Sequence, residues 1–273
     1  MKLAIIFFSP TGNTAKMARE IKINFETMGV GVDGYDITAR SDREKGIDLG
    51  PYQGIVFGFP VHSLRAPKVV REWLRTLEGH GKKASLFFTY GGFTVHPAHH
   101  STRQILTEQN FTVVSSAEFP GAHPFNLGGW RAFTDRPNES DFNRAQTYSQ
   151  ATLNRFTGQD PGMLGDLEQS IYSGEQLDGF EALRFKIITQ LPTRAGRECR
   201  LCMACEDTCP TGAMDAATGR VDSRKCIACL GCVANCPDQA LSINDTTPSW
   251  AFKLDLGKTT EQDLNRQQGK IYL

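Results

Sequence analysis

All eight cysteines of this chain lie between positions 199 and 236, in two copies of one pattern. Cys199, Cys202, Cys205 and Cys209 follow C-x2-C-x2-C-x3-C with Pro210 next, and Cys226, Cys229, Cys232 and Cys236 repeat the spacing with Pro237 next. No other feature restricts the fold as hard, because thiolates at three-residue steps bend the backbone into a tight loop around whatever they hold. Such a loop offers three corners to one iron–sulfur cube; the fourth cysteine follows one turn later, before a proline that redirects the chain. Two structural zinc ions or four disulfides are the alternatives. Zinc sites pair C-x2-C with a second, distant C-x2-C or with histidines, and none of the six histidines lies near this stretch. Disulfides need an oxidising compartment, and cysteines packed this closely bridge poorly. The spacing favours two [4Fe–4S] clusters.

The stretch 196–245 resembles the bacterial two-cluster ferredoxins, including the internal repeat C-P-T-G-A-M-D and C-P-D-Q-A-L-S. In that family the fourth cysteine of each run ligates the other cluster. The resemblance therefore implies one ligand set of Cys199, Cys202, Cys205 and Cys236, and another of Cys226, Cys229, Cys232 and Cys209. A short strand is expected after each Cys-Pro, around Ala213–Asp215 and Ala240–Ile243.

A chain of 273 residues is too long for such a unit alone, and about two domains is the natural division. The 30 Lys plus Arg balance the 30 Asp plus Glu, so no net field points to nucleic acid or a membrane surface. Within 198–245 the acids outnumber the bases, giving a mildly acidic face. The apolar run Met1–Phe8 is too short for a signal peptide and has no cleavage site. No apolar stretch approaches membrane-spanning length. A soluble, cytoplasmic protein of a reducing, anaerobic cell is expected.

Residues 2–8 (K-L-A-I-I-F-F) read as a parallel strand covered on both faces. A helix over Thr14–Met28 follows, with Met17, Ala18, Ile21, Phe25 and Met28 at helical spacing. Further strands are expected at Val30–Ile37, Gln53–Phe59, Ala84–Tyr90 and Phe111–Phe119, with helices at Lys68–Leu77, Pro97–Gln109 and Asp141–Phe156. This alternation predicts an α/β fold with a doubly wound, five-stranded parallel sheet.

Between the first strand and helix lies S-P-T-G-N-T. The hydroxyls of Ser9, Thr11 and Thr14, the Asn13 amide, Gly12 and the helix N-terminal N–H groups suit a phosphate held without a cation. A plain N-cap turn is the alternative. The junction resembles the flavin mononucleotide (FMN) phosphate loop of flavodoxins, whose strand order is 2-1-3-4-5. That resemblance covers residues 1–158. It implies that Pro60, Val61, His62 and Ser63, and Thr89, Tyr90, Gly91, Gly92 and Phe93, flank the flavin ring from the loops after the third and fourth strands. No G-x-G-x-x-G follows a strand and no G-x-x-x-x-G-K-[ST] is present. His96, His99 and His100 lack an accompanying carboxylate or cysteine and read as packing rather than a metal site.

The chain departs from short flavodoxins in the irregular Gly121–Glu139 and in a connector, 159–195. The connector holds one helical patch, Asp178–Gln190, with Phe180, Leu183, Phe185 and Ile187 apolar enough to dock. The tail, 246–273, is expected to pack back through Trp250, Phe252, Leu254 and Ile271-Tyr272-Leu273. The whole resembles the ferredoxin-fused flavodoxins of anaerobic bacteria and archaea. That resemblance implies FMN, two [4Fe–4S] clusters, and single-electron relay to or from a partner redox protein, within one chain or across a homodimer. Two alternatives stand beside it: a reductase of a small molecule with His62 or His123 as proton donor, and a degenerate flavin module that serves only for docking.

Overall fold

The computed structural model describes residues 1–187, 189–194 and 196–273. Five strands run parallel: β1 (Lys2–Phe7), β2 (Gly31–Asp36), β3 (Gly54–Pro60), β4 (Lys83–Tyr90) and β5 (Thr112–Pro120). Their order is β2-β1-β3-β4-β5, as expected. Residues 54–59 of β3 and 84–90 of β4 are buried throughout, which is why these runs carry no polar alternation.

Two helical layers cover the sheet. On one face α1 (Asn13–Thr27) and α5 (Glu139–Thr157) bury Met17, Ile21, Phe25, Tyr148 and Phe156 against Leu3, Ile5, Val56 and Phe87. On the other, α3 (Lys68–Leu74) and α4 (His96–Glu108) bury Val70, Leu74, Ile105 and Leu106 against Ile6, Phe57 and Phe88. Each such side chain contributes roughly 1.5–3 kcal/mol of transfer free energy. Helix α5 starts in a capping box: the Asn138 amide oxygen accepts from Ser140 N, and Asp141 accepts from Asn138 N at 2.8 Å. Reciprocal satisfaction of this kind sets the first turn.

The polar segment after β2 contains a short helix, α2 (Arg40–Glu44). In the connector, α6 (Gly174–Ile187) buries Leu177 and carries ion pairs to the loop and helix after β3. Glu181 accepts from Arg71 at 2.9 Å and from Arg65 at 3.2 Å, while Phe180 and Leu183 stay exposed. The side chains of Phe185 and Ile187 lie outside the described residues, as does residue 188 within the expected patch.

The cysteine-rich unit is small: α7 (Ala204–Asp207), a two-stranded ribbon of β6 (Met214–Asp215) and β7 (Arg220–Val221), and α8 (Gly231–Ala234). The strand expected at Ala240–Ile243 is reduced to one bridge, Ser242 to Thr193, because the partner there is the connector rather than a second ribbon. The tail forms α9 (Thr247–Leu256), α10 (Glu261–Asn265) and β8 (Lys270–Tyr272). Strand β8 pairs antiparallel with β5 (Ser116↔Tyr272), so the sheet has six strands rather than five. Among the described residues no helix is long and apolar enough to cross a membrane.

Candidate cofactor and metal sites

The cysteine loops surround two small hollows. Cys199, Cys202, Cys205 and Cys236 line the first, and Cys209, Cys226, Cys229 and Cys232 line the second. The swap expected of the fourth cysteine is therefore present in space. Burial, then the Cys236 and Cys199 sulfurs, push the Cys205 thiol up. Burial, then Cys229, Cys226 and Cys209, push the Cys232 thiol up. Among the described residues no three ligating side chains close on a single metal ion, so the two four-cysteine sets suit a multi-iron cluster rather than one ion.

Backbone amides already point at the sulfurs. Leu201 N donates to Cys199 at 3.4 Å, Ala213 N to Cys209 at 3.2 Å, and Ala240 N to Cys236 at 3.3 Å. The last two repeat at matching places in the two Cys-Pro turns, and hydrogen bonds of this kind set cluster potentials. The residues present fit two iron–sulfur clusters.

At the carboxyl ends of the parallel strands, four loops converge on a cleft. Ser9, Pro10, Thr11, Asn13 and Thr14 come from the loop after β1, Pro60, Val61 and His62 from β3, and Thr89, Tyr90 and Gly91 from β4. This is where the switch point of a doubly wound sheet places a ligand. Gly12 takes a left-handed φ of 91° as the N-cap of α1, a turn that a side chain would strain. Ser9 Oγ accepts from Ala15 N at 2.9 Å, Thr14 Oγ1 shares a hydrogen with Thr89 Oγ1, and Asn13 Nδ2 donates to Ala122 O. These side chains hold the loop together. Among the described residues the N–H groups of Thr11, Asn13 and Thr14 find no acceptor within the protein, and no Lys or Arg lines the cleft. A helix N-terminus with open amides and no cation suits a phosphate, so the residues present fit the FMN phosphate.

Not all the expected flavin contacts reach the cleft. Gly12, Ser63, Gly92 and Phe93 stand outside its lining. Phe93 packs instead on Trp130 and Trp250, with ring centroids 5.9 and 6.3 Å away, and Lys253 Nζ lies over it. Tyr90 lines the cleft but is 7 % exposed and packs edge-on against Phe133.

Gly121, Ala122, His123 and Pro124, after β5, form the fourth side of the wall. The same loop-after-strand logic applied to β5 finds them. His123 Nδ1 accepts from Phe125 N at 3.1 Å, which leaves the ring proton on Nε2.

The last wall residue is Cys229. It lines both the cleft and the second cysteine hollow, a placement no local sequence signal carries. That hollow is the inner one: Cys229 is 8 % exposed and Leu230 is 1 % exposed. The other is the outer one, with Cys202 exposed.

Residues 191–237 match the family model of the 4Fe-4S dicluster domain. No curated protein matches the chain. Among solved structures, a flavodoxin from the domain Archaea is 17 % identical over 57 % of this chain and 99 % of its own, with a TM-score of 0.42. Flavodoxin 1 from Bacillus cereus is 20 % identical over 56 % and 98 % of the two chains, with a TM-score of 0.41. Flavodoxin 2 from the same organism is 19 % identical over 58 % and 99 %, with a TM-score of 0.44. The fold assignment rests on the observed strand order, which is the flavodoxin order. The chain joins a flavodoxin-like sheet to a 4Fe–4S dicluster domain, which is an electron-transfer module.

Proposed function

We propose that this fusion of a flavodoxin-like sheet with a dicluster domain is an electron-transfer flavoprotein wired within a single chain. Its parts would be an FMN domain of residues 1–158 completed by the tail strand, the connector 159–195, and the dicluster unit 196–245. The observation that carries this reading is Cys229, shared by the inner hollow and the cleft. When bound, the clusters supply one-electron steps and the flavin a two-electron store. The chain's own residues supply positions. The open amides of Thr11, Asn13 and Thr14 would hold the phosphate, and Pro60–His62 and Thr89–Gly91 would flank the ring. Buried Leu230 and Ala228, 1 % and 0 % exposed, keep water from the inner sulfurs. Exposed Leu201 and Met203 beside the outer set would receive a redox partner.

An anaerobic reductive titration tests the reading, with iron, sulfide and flavin assayed on the same sample. About eight iron atoms and one FMN per chain, titrating as two one-electron groups and one two-electron group, are expected. Iron without any FMN overturns it. A second reading, reduction of a small molecule in the cleft, is favoured by His62 and His123, which both line it. Saturable turnover with one specific oxidant, lost on His123→Ala, would select that reading.

A further inference from the structure

One residue of the second cysteine run makes a contact that its counterpart in the first run does not. Thr208 precedes Cys209 as Asn235 precedes Cys236. Both side chains donate to the carbonyl four residues back: Thr208 Oγ1 to Ala204 at 2.7 Å, and Asn235 Nδ2 to Gly231 at 2.8 Å. That bond belongs to the repeat. Asn235 Nδ2 also donates to the Pro10 carbonyl at 2.9 Å, inside the S-P-T-G-N-T loop. Beside it, a Cβ added at Gly231 would stand 3.1 Å from Pro10 Cβ and O. The backbone of α8 therefore lies directly on the loop, at the place where the first run has Ala204.

A second connection starts at Pro210, next to Cys209. Its carbonyl accepts from Arg43 Nη2. Arg43 Nη1 donates to Ile37 O at 2.7 Å and to Thr38 O at 2.8 Å, and Thr38 Oγ1 accepts from Ser9 N at 2.7 Å. The two segments that supply the inner sulfurs thus hold the loop at its first two residues, Ser9 and Pro10.

We propose that Asn235 and Arg43 are positioning residues for the anion-binding loop, so that phosphate affinity at Ser9–Thr14 depends on the metal-loaded inner segment. The proposal rests on the flavin reading above. Its physical basis is pre-organisation: amides already held in place bind an anion without the cost of ordering the loop. A metal-binding segment takes its shape from its metal, and coupling between two sites acts in both directions.

The test uses full-length, cluster-loaded protein stripped of flavin. FMN and riboflavin, which lacks the phosphate, are titrated by fluorescence quenching, and iron and sulfide are assayed on each sample. Asn235→Thr keeps the bond to Gly231, as Thr208 shows, but is too short to reach Pro10. The expected result is unchanged iron, an FMN Kd raised roughly fivefold to tenfold, and a riboflavin Kd within about twofold of wild type. Arg43→Gln, on the sheet side of the contact and outside the cysteine loops, should show the same pattern. It carries the test if Asn235→Thr loses iron. An unchanged FMN Kd at full iron, or equal weakening of FMN and riboflavin, overturns the proposal. Wild-type protein that binds neither flavin overturns the flavin reading itself, and this proposal with it.

Discussion

In the outer cysteine run Leu201 and Met203 are 51 % and 39 % exposed, whereas the residues at the same places in the inner run, Ala228 and Leu230, are 0 % and 1 % exposed. The backbones barely differ. The φ angles are 57° and 64° in the first run and 54° and 57° in the second, all in the left-handed region that L residues enter only at a cost. The cysteine spacing imposes the same local path twice, strain included. What differs is the surface each loop meets. The inner run lies against Pro10 and joins the main core through Leu230, while the outer run faces solvent. One repeated device thus has two ends that are not interchangeable.

The largest expected effect separates those ends directly. Cys202→Ser and Cys229→Ser should each lower iron content by about half. Only Cys229→Ser should abolish reduction of bound flavin by a small one-electron donor in stopped-flow measurements; Cys202→Ser should slow it. Equal loss in both variants would break the comparison.

A smaller effect is thermodynamic. Leu230→Ala should cost about 2–4 kcal/mol in denaturant unfolding, as expected for a large-to-small change in a packed core. Met203→Ala, its exposed counterpart, should stay within about 0.5 kcal/mol. Equal costs would show that Leu230 serves the cysteine loop rather than the core.

The smallest effect concerns the tail, whose Trp250 and Leu264 share the core with Leu230. Strand β8 is pinned where Tyr272 OH donates to Glu118 Oε2 at 2.9 Å, and His99 meets Ser116 at 2.7 Å and Glu118 at 3.1 Å. Burial holds His99 below its ordinary value of 6.5, although Glu118 opposes this; His96 and Lys270 lower it further. The ring is therefore neutral in the fold and gains its proton more readily in the unfolded chain. Its contribution to stability is full above pH 6.5 and is lost as the pH falls below that value. A Tm lower by a few degrees in mild acid is expected, and His99→Gln should flatten that slope. An unchanged slope would remove His99 from the clamp.

Much of the fold is legible in the residues because its rules are local. Continuous apolar runs such as K-L-A-I-I-F-F report burial on both faces, and Met17, Ile21 and Phe25 report a helix side. The same locality explains the misses. Strand β8 is three residues long and exists through its pairing with β5. Phe93 follows the fourth strand as a ring-stacking residue would, yet Trp130 and Trp250, distant in sequence, draw it away from the cleft. Helix α6 pairs its Glu181 with Arg65 and Arg71, more than a hundred residues earlier, a contact its own apolar residues do not announce.

Spacing alone determined that eight thiols form two equivalent loops, and strand–helix alternation determined a parallel sheet with a phosphate-suited turn at its first junction. Both follow from the reach and dihedral limits of a few successive residues. Only the tertiary structure decided which loop is inner, that Cys229 forms a wall of the cleft, and that Asn235 reaches Pro10. Those assignments depend on contacts between segments more than two hundred residues apart, which no local pattern encodes.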